Sequence, residues 1–294
     1  MSFSDRDKRS AKIKAKKVSV IVPNYNYARY LKRRFLSIAE QTYPIYELIV
    51  LDDASTDGSK TMIKKMVAEA GRIQPNMKIK MIWNKENSGK AISQWIRGVK
   101  EASGDYIWIA EADDVARKNF LSEAMKGFEN KDVVLSYTES AIINKNGIIV
   151  LPSFIRSRDR EQTGHFAKSY IRSGKKEIEE IMAIRCTIPN VSAVVFKNTP
   201  ELLKNLKQAL KFEQVGDWYL YATLLENGKI FYNKKSLNFF RVHKESATKR
   251  GETHVKEVEM MHKFFKNKYK LNENVLRWMD EEIERIKHKY GIIK

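Results

Sequence analysis

Two pairs of adjacent carboxylates are the residues of this sequence best suited to chemistry. Asp52 and Asp53 follow one short apolar run, and Asp113 and Asp114 follow another. Like charges side by side are unfavourable unless a cation or a hydrogen-bond network stabilises them. Carboxylate oxygens are hard ligands that suit Mg²⁺ or Mn²⁺, particularly where substrate phosphates complete the coordination shell. Glu111, Asp113 and Asp114 therefore suit a divalent cation, which an anionic diphosphate beside carboxylates would require as a bridge. A single acidic pair could instead cap a helix, and two pairs at successive strand ends are more specific.

Polar residues also follow two other apolar runs. These segments are Pro23-Asn-Tyr-Asn26 and Asn84-Lys-Glu-Asn-Ser-Gly-Lys90. Gly89 allows the backbone to approach a ligand closely, and Lys90 adds a positive charge. The sequence has neither a G-x-G-x-x-G fingerprint after the first apolar run nor a G-x-x-x-x-G-K-S/T pattern. A Rossmann dehydrogenase and a P-loop NTPase are therefore disfavoured.

Four repeats of strand and helix are predicted to position these polar segments. The predicted strands are Val18–Val22, Glu47–Leu51, Lys78–Trp83 and Asp105–Ala110. Apolar residues at helical spacing between them predict crossover helices, two of which we expect Gly71 and Gly104 to end. Because each parallel strand needs a crossover, residues 18–114 predict an α/β fold with a mostly parallel sheet. Ligands bind such sheets outside the carboxyl ends of the strands, where all four polar segments lie.

The alternation weakens beyond Asp114. Further strands are predicted at Val133–Tyr137, Gly147–Leu151 and Val191–Phe196, and further helices at Leu202–Leu210 and Asp217–Glu226. A turn over residues 144–147 joins the first two of these strands, and the basic stretch Pro152–Lys176 predicts a long surface loop. Two amphipathic patterns, which begin at Val255 and Leu276, predict C-terminal helices that cover the core, with docking on a membrane surface as the alternative.

The composition excludes several classes of protein. The chain has 294 residues, 43% of them hydrophobic, and can bury a full core. Its one cysteine, Cys186, excludes a disulfide framework and a cysteine metal cluster. No apolar run approaches the roughly 18 residues that span a bilayer, and no signal-peptide pattern opens the chain. We therefore expect a cytoplasmic protein.

The charge predicts an anionic partner without identifying it. The 55 Lys and Arg residues exceed the 36 Asp and Glu residues by 19. The surplus is spread over the N-terminal segment, the stretch Pro152–Lys176 and the C-terminal helices rather than concentrated in one groove with aromatic residues. We therefore expect no nucleic-acid partner, whereas an anionic membrane surface fits these basic segments.

Four motifs, in the right order and spacing, resemble the family 2 glycosyltransferases of the GT-A fold. They are Val18-Ser-Val-Ile-Val-Pro-Asn-Tyr-Asn26, Leu51-Asp-Asp-Ala-Ser-Thr-Asp-Gly-Ser59, Asn87-Ser-Gly-Lys90 and Gly104-Asp-Tyr-Ile-Trp-Ile-Ala-Glu-Ala-Asp-Asp114. The resemblance is close from Val18 to about Asn119 and looser as far as Lys249. It implies a single Rossmann-like domain with C-terminal helices, and an inverting transfer of a sugar from a nucleotide-diphosphate donor with Mn²⁺ or Mg²⁺.

The same resemblance implies a role for each matching residue. The donor-binding residues would be Pro23, Tyr25, Asp53, Asn87, Gly89, Lys90 and Asp113. Asp114 would bind the metal, although Glu111 stands where aspartate is frequent in the family. His243 resembles a late histidine that helps hold the metal or the diphosphate, and a structural role is an equal alternative. The remaining histidines, His165, His254, His262 and His288, have no such context and receive no role.

An inverting displacement needs a carboxylate that takes the proton of the acceptor hydroxyl. The segment Gln214-Val-Gly-Asp-Trp218 resembles the family segment that carries this base, which points to Asp217, with Glu213 as the nearest competitor. An aspartate at a predicted helix start is also a routine N-cap.

The resemblance also divides the chain. We expect a basic flexible tail (1–17), a nucleotide-sugar-binding half (18–119), an acceptor-binding half (120–248) and C-terminal amphipathic helices (249–294). The acceptor would be a glycan or a lipid-linked molecule, and the pathway surface polysaccharide or glycoconjugate assembly, with the enzyme able to lie on the inner face of the plasma membrane. A non-catalytic module that binds nucleotide sugars or phosphate on the same fold is the alternative.

Overall fold

A ten-stranded sheet runs through the computed structural model, which describes residues 15–243 and 251–292. Its strands are β1 (Val18–Asn24), β2 (Glu47–Asp52), β3 (Lys78–Trp83), β4 (Tyr106–Ile109), β5 (Val115–Ala116), β6 (Val133–Ile143), β7 (Ile149–Leu151), β8 (Tyr170–Ser173), β9 (Val194–Lys197) and β10 (Lys229–Arg241). They lie in the order β3-β2-β1-β4-β9-β6-β10-β5, with β7 beside β6 and β8 beside β10. Most of the predicted basic tail, residues 1–14, lies outside the described residues.

Helices cover both faces of this sheet. They are α1 (Ala28–Ala39), α2 (Ser59–Ile73), α3 (Ala91–Glu101), α4 (Phe120–Met125), α5 (Ile155–Arg158), α6 (Gly174–Glu177), α7 (Pro200–Ala209), α8 (Gly216–Leu225), α9 (Gly251–Lys268) and α10 (Glu273–Lys289). Side chains of α1, α2 and α4 form one buried cluster with the sheet, and those of α3, α7, α8, α9 and α10 form another. In β1, Val20 and Val22 belong to the first cluster and Ile21 to the second. A continuous apolar run is what a strand buried on both faces requires, because successive side chains point to opposite faces.

The sheet has a parallel half and a mixed half. Strand β1 pairs in parallel with β2 and β4, and β2 pairs in parallel with β3. Strand β9 is antiparallel to both of its neighbours, β4 and β6, while β6 and β10 are parallel. The predicted α/β class with a central sheet and C-terminal helices is confirmed. The predicted strand Val191–Phe196 is shorter than expected, because Val191–Ala193 forms a turn of 3₁₀ helix before β9.

Two glycines do not end helices as predicted. Helix α2 continues beyond Gly71, where an added Cβ would lie 3.5 Å from Cδ1 of Ile79. Helix α3 ends before Gly104, and the Gly104 amide donates a hydrogen bond of 2.9 Å to Oγ of Ser19. An added Cβ at Gly104 would lie 2.5 Å from that oxygen, so the glycine is required by this close approach.

The stretch Pro152–Lys176 is not the surface loop that its charge predicts. It contains α5, β8 and α6, and Arg158 within it is only 3% exposed. The Arg158 guanidinium forms a buried ion pair with Glu139 and lies over the Phe166 ring, 4.2 Å from its centroid. The prediction of a loop was wrong, because the stretch forms regular elements and a distant carboxylate neutralises Arg158 inside the fold. Its other basic residues are exposed or half-buried, as their charge predicts.

The two C-terminal helices cover the core, as predicted. Val258, Met261 and Phe265 of α9 and Met279 and Ile286 of α10 are buried in the same cluster as α3, α7 and α8. Among the described residues, no helix combines the length and the apolar character that crossing a membrane requires.

Candidate active site

A cavity of about 780 Å³ opens at the carboxyl ends of β1, β2 and β4, and we call it the central cavity. Nearly all the predicted site residues line it: Pro23, Tyr25, Asp53, Asn87, Gly89, Lys90, Asp113, Asp114 and Asp217. His243 does not line the cavity, but its Nε2 lies 2.9 Å from Oδ2 of Asp113. The structure thus brings together residues from both halves of the chain.

The first carboxylate pair has two distinct environments. Asp52 is fully buried, and its Oδ1 accepts a hydrogen bond of 2.8 Å from Nδ2 of Asn24. Its Oδ2 accepts a bond of 3.1 Å from the Ser55 amide, so Asp52 joins the loops that follow β1 and β2. Asp53 lines the cavity, and Tyr25 beside it is 43% exposed. The aromatic face of Tyr25 is therefore available to a ligand.

Asp53 also orders the loop that contains Gly89. Its carboxylate accepts hydrogen bonds from Nδ2 of Asn84 (2.5 Å), Oγ of Ser88 (2.8 Å) and Nε2 of Gln94 (2.8 Å). Gly89 has a φ of 74°, in the left-handed region that favours glycine. Asp53 thereby connects the carboxyl end of β2 to the loop that follows β3.

Lys90 and Asn87 make local contacts at the edge of the cavity. The Lys90 ammonium donates a hydrogen bond of 2.8 Å to the carbonyl of Leu210, just after α7. Oδ1 of Asn87 accepts a bond of 2.5 Å from the Gly89 amide. Both side chains line the cavity while stabilising its wall.

The second carboxylate pair is divided between a buried and a partly exposed side chain. Asp114 is 2% exposed, and its Oδ1 accepts a hydrogen bond of 2.8 Å from the Arg241 amide. Its Oδ2 accepts a bond of 2.7 Å from Nδ2 of Asn190. The Asp113 side chain is 15% exposed and contacts His243. Asp114 thus holds β10 and the segment before β9 in place, while Asp113 faces the cavity.

Glu111 and Arg34 complete the charged groups around this pair. Burial raises the pKa of Glu111 to about 8, and repulsion from Asp113 adds to the shift. Burial likewise raises the pKa of Asp114 to about 7, again with a contribution from Asp113. Arg34 is fully buried, and burial lowers its pKa to about 10 although the carboxylates attract its charge. Arg34 and Arg241 both interact with the charges of Asp113 and Asp114, so two guanidinium groups lie beside the three carboxylates. A bound cation would favour the ionised form of the carboxylates whose pKa values are raised.

The residues fit a divalent metal only in part. Within the described ranges 15–243 and 251–292, no group of three or more His, Cys, Asp or Glu side chains has the arrangement of a metal site. Mg²⁺ and Mn²⁺ commonly use one or two carboxylates and complete their shell with substrate phosphates and water. Asp113, which faces the cavity, fits that incomplete type of site, and His243 contacts its carboxylate from a buried position.

Asp217 lies at the start of α8 on another wall of the cavity. Its Oδ1 accepts a hydrogen bond of 2.8 Å from the Trp218 amide. Burial raises the pKa of Asp217 to about 6, and the charge of Glu257 adds to the shift. A carboxylate with such a pKa is basic enough to accept a proton near neutral pH. The competitor Glu213 is exposed, and its side chain does not line the central cavity.

Glu257 of α9 holds the loop that presents Asp217. Its carboxylate accepts hydrogen bonds from the amides of Glu213 (2.6 Å), Gln214 (2.8 Å) and Val215 (3.1 Å). Because Glu257 is only 6% exposed, these three bonds are protected from water. The C-terminal helices are therefore part of the site.

Sequence reasoning missed several residues of this site. They are Arg34, Asn190, Arg241 and Glu257, together with the cavity-lining His254, Glu282, Arg285, Lys289 and Tyr290 of the C-terminal helices. For the residues of the C-terminal helices the sequence signal is weak, because the pattern over residues 255–290 indicates the apolar faces of two helices and not the polar side chains that line a cavity. His254, to which the sequence assigns no role, lines the cavity through its position on α9.

Comparison with known proteins places this fold and site in context. The family model described as Glycosyl transferase family 2 matches residues 19–181, more than half of the chain. Among curated proteins, an uncharacterized glycosyltransferase of Nostoc sp. is 37% identical over 118 residues, which cover 40% of this chain and 34% of the relative. The putative teichuronic acid biosynthesis glycosyltransferase TuaG of Bacillus subtilis is 27% identical over 177 residues, which cover 53% of this chain and 67% of TuaG. The chain thus spans between one third and two thirds of the length of these relatives.

Two solved structures share the fold across most of the chain. TarS of S. aureus, solved in complex with UDP-GlcNAc, has a TM-score of 0.61 and 18% identity, and the match covers 92% of this chain and 73% of that one. The mannosyltransferase PcManGT of Pyrobaculum calidifontis, solved with GDP-Man and Mn²⁺, has a TM-score of 0.61 and 17% identity, and the match covers 95% of this chain and 76% of that one. At this level of identity the likeness establishes the fold.

Proposed function

Because the chain belongs to glycosyl transferase family 2, we propose that it is an inverting glycosyltransferase that moves a sugar from a nucleotide-diphosphate donor to a hydroxyl acceptor. One observation carries this proposal. The carboxylates Asp113 and Asp114 and the candidate base Asp217 line the same cavity, although they come from distant parts of the chain. Such a transferase needs carboxylates that bind the metal beside the leaving diphosphate. It also needs a separate carboxylate that takes the proton of the acceptor hydroxyl.

The donor would occupy the carboxyl ends of β1 to β4. Pro23 and Tyr25 would contact the nucleoside, and Asp53 the base, while ordering the loop of Asn87, Gly89 and Lys90 around the nucleotide. The structural neighbours TarS and PcManGT were solved with UDP-GlcNAc and with GDP-Man, which supports a nucleotide sugar as the class of donor.

Mn²⁺ or Mg²⁺, bound with the donor, would neutralise the charge that develops on the leaving diphosphate. The predicted ligands are Asp114 and His243, with Asp113 beside the sugar nucleotide. The hydrogen bonds support a different assignment, in which Asp113 binds the metal, His243 orients Asp113 from a buried position and Asp114 holds the surrounding segments. The Mn²⁺ in the PcManGT complex supports the use of a divalent metal.

Asp217 would act as the catalytic base. Its carboxylate would take the proton of the acceptor hydroxyl, and that oxygen would form a bond to the anomeric carbon. The bond from this carbon to the diphosphate would break on the opposite face, which inverts the configuration. The burial that raises the pKa of Asp217 to about 6 supports this role, because the group is ionised at neutral pH and more basic than an exposed aspartate.

Substitution of the base tests this proposal. We expect Asp217→Asn to lower transfer at least about a hundredfold, which is the lower end of the range for loss of a general base. Its free energy of unfolding should be unchanged or higher, because the substitution removes a buried carboxylate. Asp280→Asn, at an exposed residue of α10 that pairs with Lys266, is the matched control.

The measurement is product formation and nucleotide release across a panel of nucleotide sugars with Mn²⁺. Wild-type turnover in Asp217→Asn would exclude this residue as the base. Tight binding of a nucleotide sugar by calorimetry, with neither transfer nor hydrolysis in the wild-type protein, would favour the non-catalytic binding module.

We also propose a role in surface polysaccharide or glycoconjugate assembly, with a glycan or a lipid-linked acceptor. The similarity to TuaG, which is named for teichuronic acid biosynthesis, supports this class of pathway. A membrane contact is supported by the hairpin of β6 and β7, where Ile148, Ile149 and Val150 are 61%, 49% and 59% exposed. Lys145 in its turn and Arg33 beside it are exposed cations that suit an anionic lipid surface. The division into a donor half, an acceptor half and C-terminal helices also stays a proposal.

A further inference from the structure

One wall of the central cavity is basic, and α10 supplies half of its charged groups. Four cations line it, and we call them the cationic corner: Arg160, Arg185, Arg285 and Lys289. Two carboxylates, Glu161 and Glu282, pair with the three arginines. Lys289 is exposed and forms no ion pair with a carboxylate of the described residues. Within the described part of the chain, the corner therefore has more positive than negative charges.

The three guanidinium groups converge on one carboxylate. Oε2 of Glu282 lies 2.6 Å from Nη1 of Arg160, 2.9 Å from Nε of Arg285 and 3.3 Å from Nη2 of Arg185. Arg185 also forms a bidentate pair with Glu161, with distances of 2.6 Å and 2.5 Å. Guanidinium groups held in this way are already ordered, and their planar donors match the oxygens of a carboxylate or a phosphate.

Two buried nitrogen atoms at this wall lack hydrogen-bond partners. They are Nε of Arg185 and Nδ1 of His254, for which no partner exists among the described residues. Burial lowers the pKa of His254, and the charge of Lys289 lowers it further. Burial also lowers the pKa of Arg160, and Arg285 and Arg185 add to that effect against the attraction of Glu282. The neighbouring cations thus repel one another, and a bound anion would offset this repulsion.

The corner adjoins the candidate base. The segment 184–191 carries, in chain order, Arg185 in the corner, Cys186 near Asp217 and Asn190 on Asp114. Burial raises the pKa of the Cys186 thiol, and the charge of Asp217 adds to the shift, which reports that these two groups are close. This segment therefore connects the corner, through Cys186, to the neighbourhood of Asp217, and its other end contacts Asp114. The corner and Asp217 line the same cavity.

We propose that the cationic corner binds an anionic group of the acceptor, a phosphate or a carboxylate on the molecule whose hydroxyl reaches Asp217. This inference rests on the proposed function, because an acceptor exists only for a transferase. The anion would contact Lys289 and Arg285 directly. It would accept hydrogen bonds from the guanidinium N–H groups that do not bond to Glu282. An acceptor sugar without a charged substituent would lack this anchor.

A binding experiment tests the inference, with the proposed donor site occupied by a nucleotide. UDP and GDP are first titrated into the protein with Mn²⁺, and the one that binds is used to fill the donor site. Failure of both would contradict the proposed donor site rather than the corner. With the nucleotide and Mn²⁺ at saturation, glucose 6-phosphate, glucuronate and methyl glucoside are then titrated by calorimetry. We expect the two anionic sugars to bind at least about tenfold more tightly than the neutral one, as the loss of a charge-assisted contact predicts.

Variants then locate the binding. Lys289→Gln should weaken the binding of both anionic sugars about tenfold and leave that of methyl glucoside unchanged. Lys287→Gln, a neighbour on α10 that pairs with Glu259 and Glu284, is the matched control and should have no effect. Arg285→Gln should also weaken the binding of the anionic sugars. If Arg285→Gln unfolds, Lys289→Gln alone decides the test.

Vesicles distinguish the source of the anion. Binding to phosphatidylcholine vesicles that contain phosphatidic acid, weakened by Lys289→Gln, assigns the corner to a lipid-borne phosphate. Binding of the soluble sugars alone assigns it to a soluble or polymeric acceptor. Equal affinity for charged and neutral sugars, or full binding in Lys289→Gln, overturns the inference.

Discussion

Asp113 and Asp114 are neighbours in the chain, yet they have different surroundings. Both oxygens of Asp114 accept hydrogen bonds from protein groups, and the side chain is almost fully buried. Asp113 is more exposed and contacts His243. The resemblance assigns the metal to Asp114 and the sugar nucleotide to Asp113. Partners that are distant in the chain, Asn190, Arg241 and His243, support the opposite assignment that we propose.

Substitution of each aspartate separates the two roles. We expect Asp113→Asn to weaken Mn²⁺ binding in the presence of UDP about tenfold or more, with little change in the free energy of unfolding. Asp114→Asn places an amide donor opposite other donors, so it should lower the free energy of unfolding by about 1–3 kcal/mol and affect the metal less. Manganese titration and thermal unfolding measure these effects, and the reverse outcome would restore the assignment from the sequence.

Helix α9 shows how an element far from the donor motifs controls the site. Glu257 accepts three amide hydrogen bonds from the loop before α8, and its charge raises the pKa of Asp217. No pattern in the sequence distinguishes Glu257 from the other acidic residues of α9. In contrast, β1 to β4 were predicted correctly. Local hydrophobic patterning specifies β1, β2 and β4, which are buried on both faces, and β3 is a more exposed strand at the edge of the sheet.

Removal of the Glu257 charge should change the pH dependence of the reaction. The raised pKa of Asp217, about 6, means that the base is ionised above pH 6 and protonated below it, so activity should rise with pH through this value. In Glu257→Gln the repulsion is absent, and the acid limb of kcat/KM should move to lower pH. The free energy of unfolding should fall by about 1–3 kcal/mol, because the amide replaces one of the acceptor oxygens.

Glu259→Gln is the matched control for this prediction. Glu259 lies on the same helix, is exposed and pairs with Lys287. It should change neither the acid limb nor the stability by more than about 0.5 kcal/mol. An acid limb in Glu257→Gln that coincides with that of the control would show that the Glu257 charge has no influence on the base.

Across the whole molecule, the surplus of positive charge falls into separate groups. Arg158 is buried in an ion pair, Arg185 and three other cations line the cationic corner, and Lys145 and Arg33 lie beside the exposed hairpin of β6 and β7. The sequence attributes the charge of Pro152–Lys176 to a surface and misses the burial of Arg158, because the partner that neutralises it is invisible to a local pattern. The sequence likewise predicts only a strand at the apolar tip of the hairpin, and the structure shows that its side chains are exposed.

The hairpin gives a test of membrane association. We expect Ile149→Asp to reduce co-sedimentation with vesicles that contain anionic lipid several-fold, because it removes apolar contact area and adds a repelled charge. Ile171→Asp changes an equally exposed residue of β8, which pairs with the opposite end of β10, and should have little effect. Equal sedimentation of both variants and the wild-type protein would exclude the hairpin as the contact.

The two hydrogen bonds of Asp114 also have a consequence for how the protein folds. They tie the segment after β4 to the end of β10 and to the segment before β9, and β9 itself pairs with β4. The acid pair therefore reaches its final geometry only after the second half of the chain has docked on the first. The boundary that we propose near residue 119 is therefore crossed by these hydrogen bonds, and we expect the isolated residues 18–119 to lack the geometry of the acid pair.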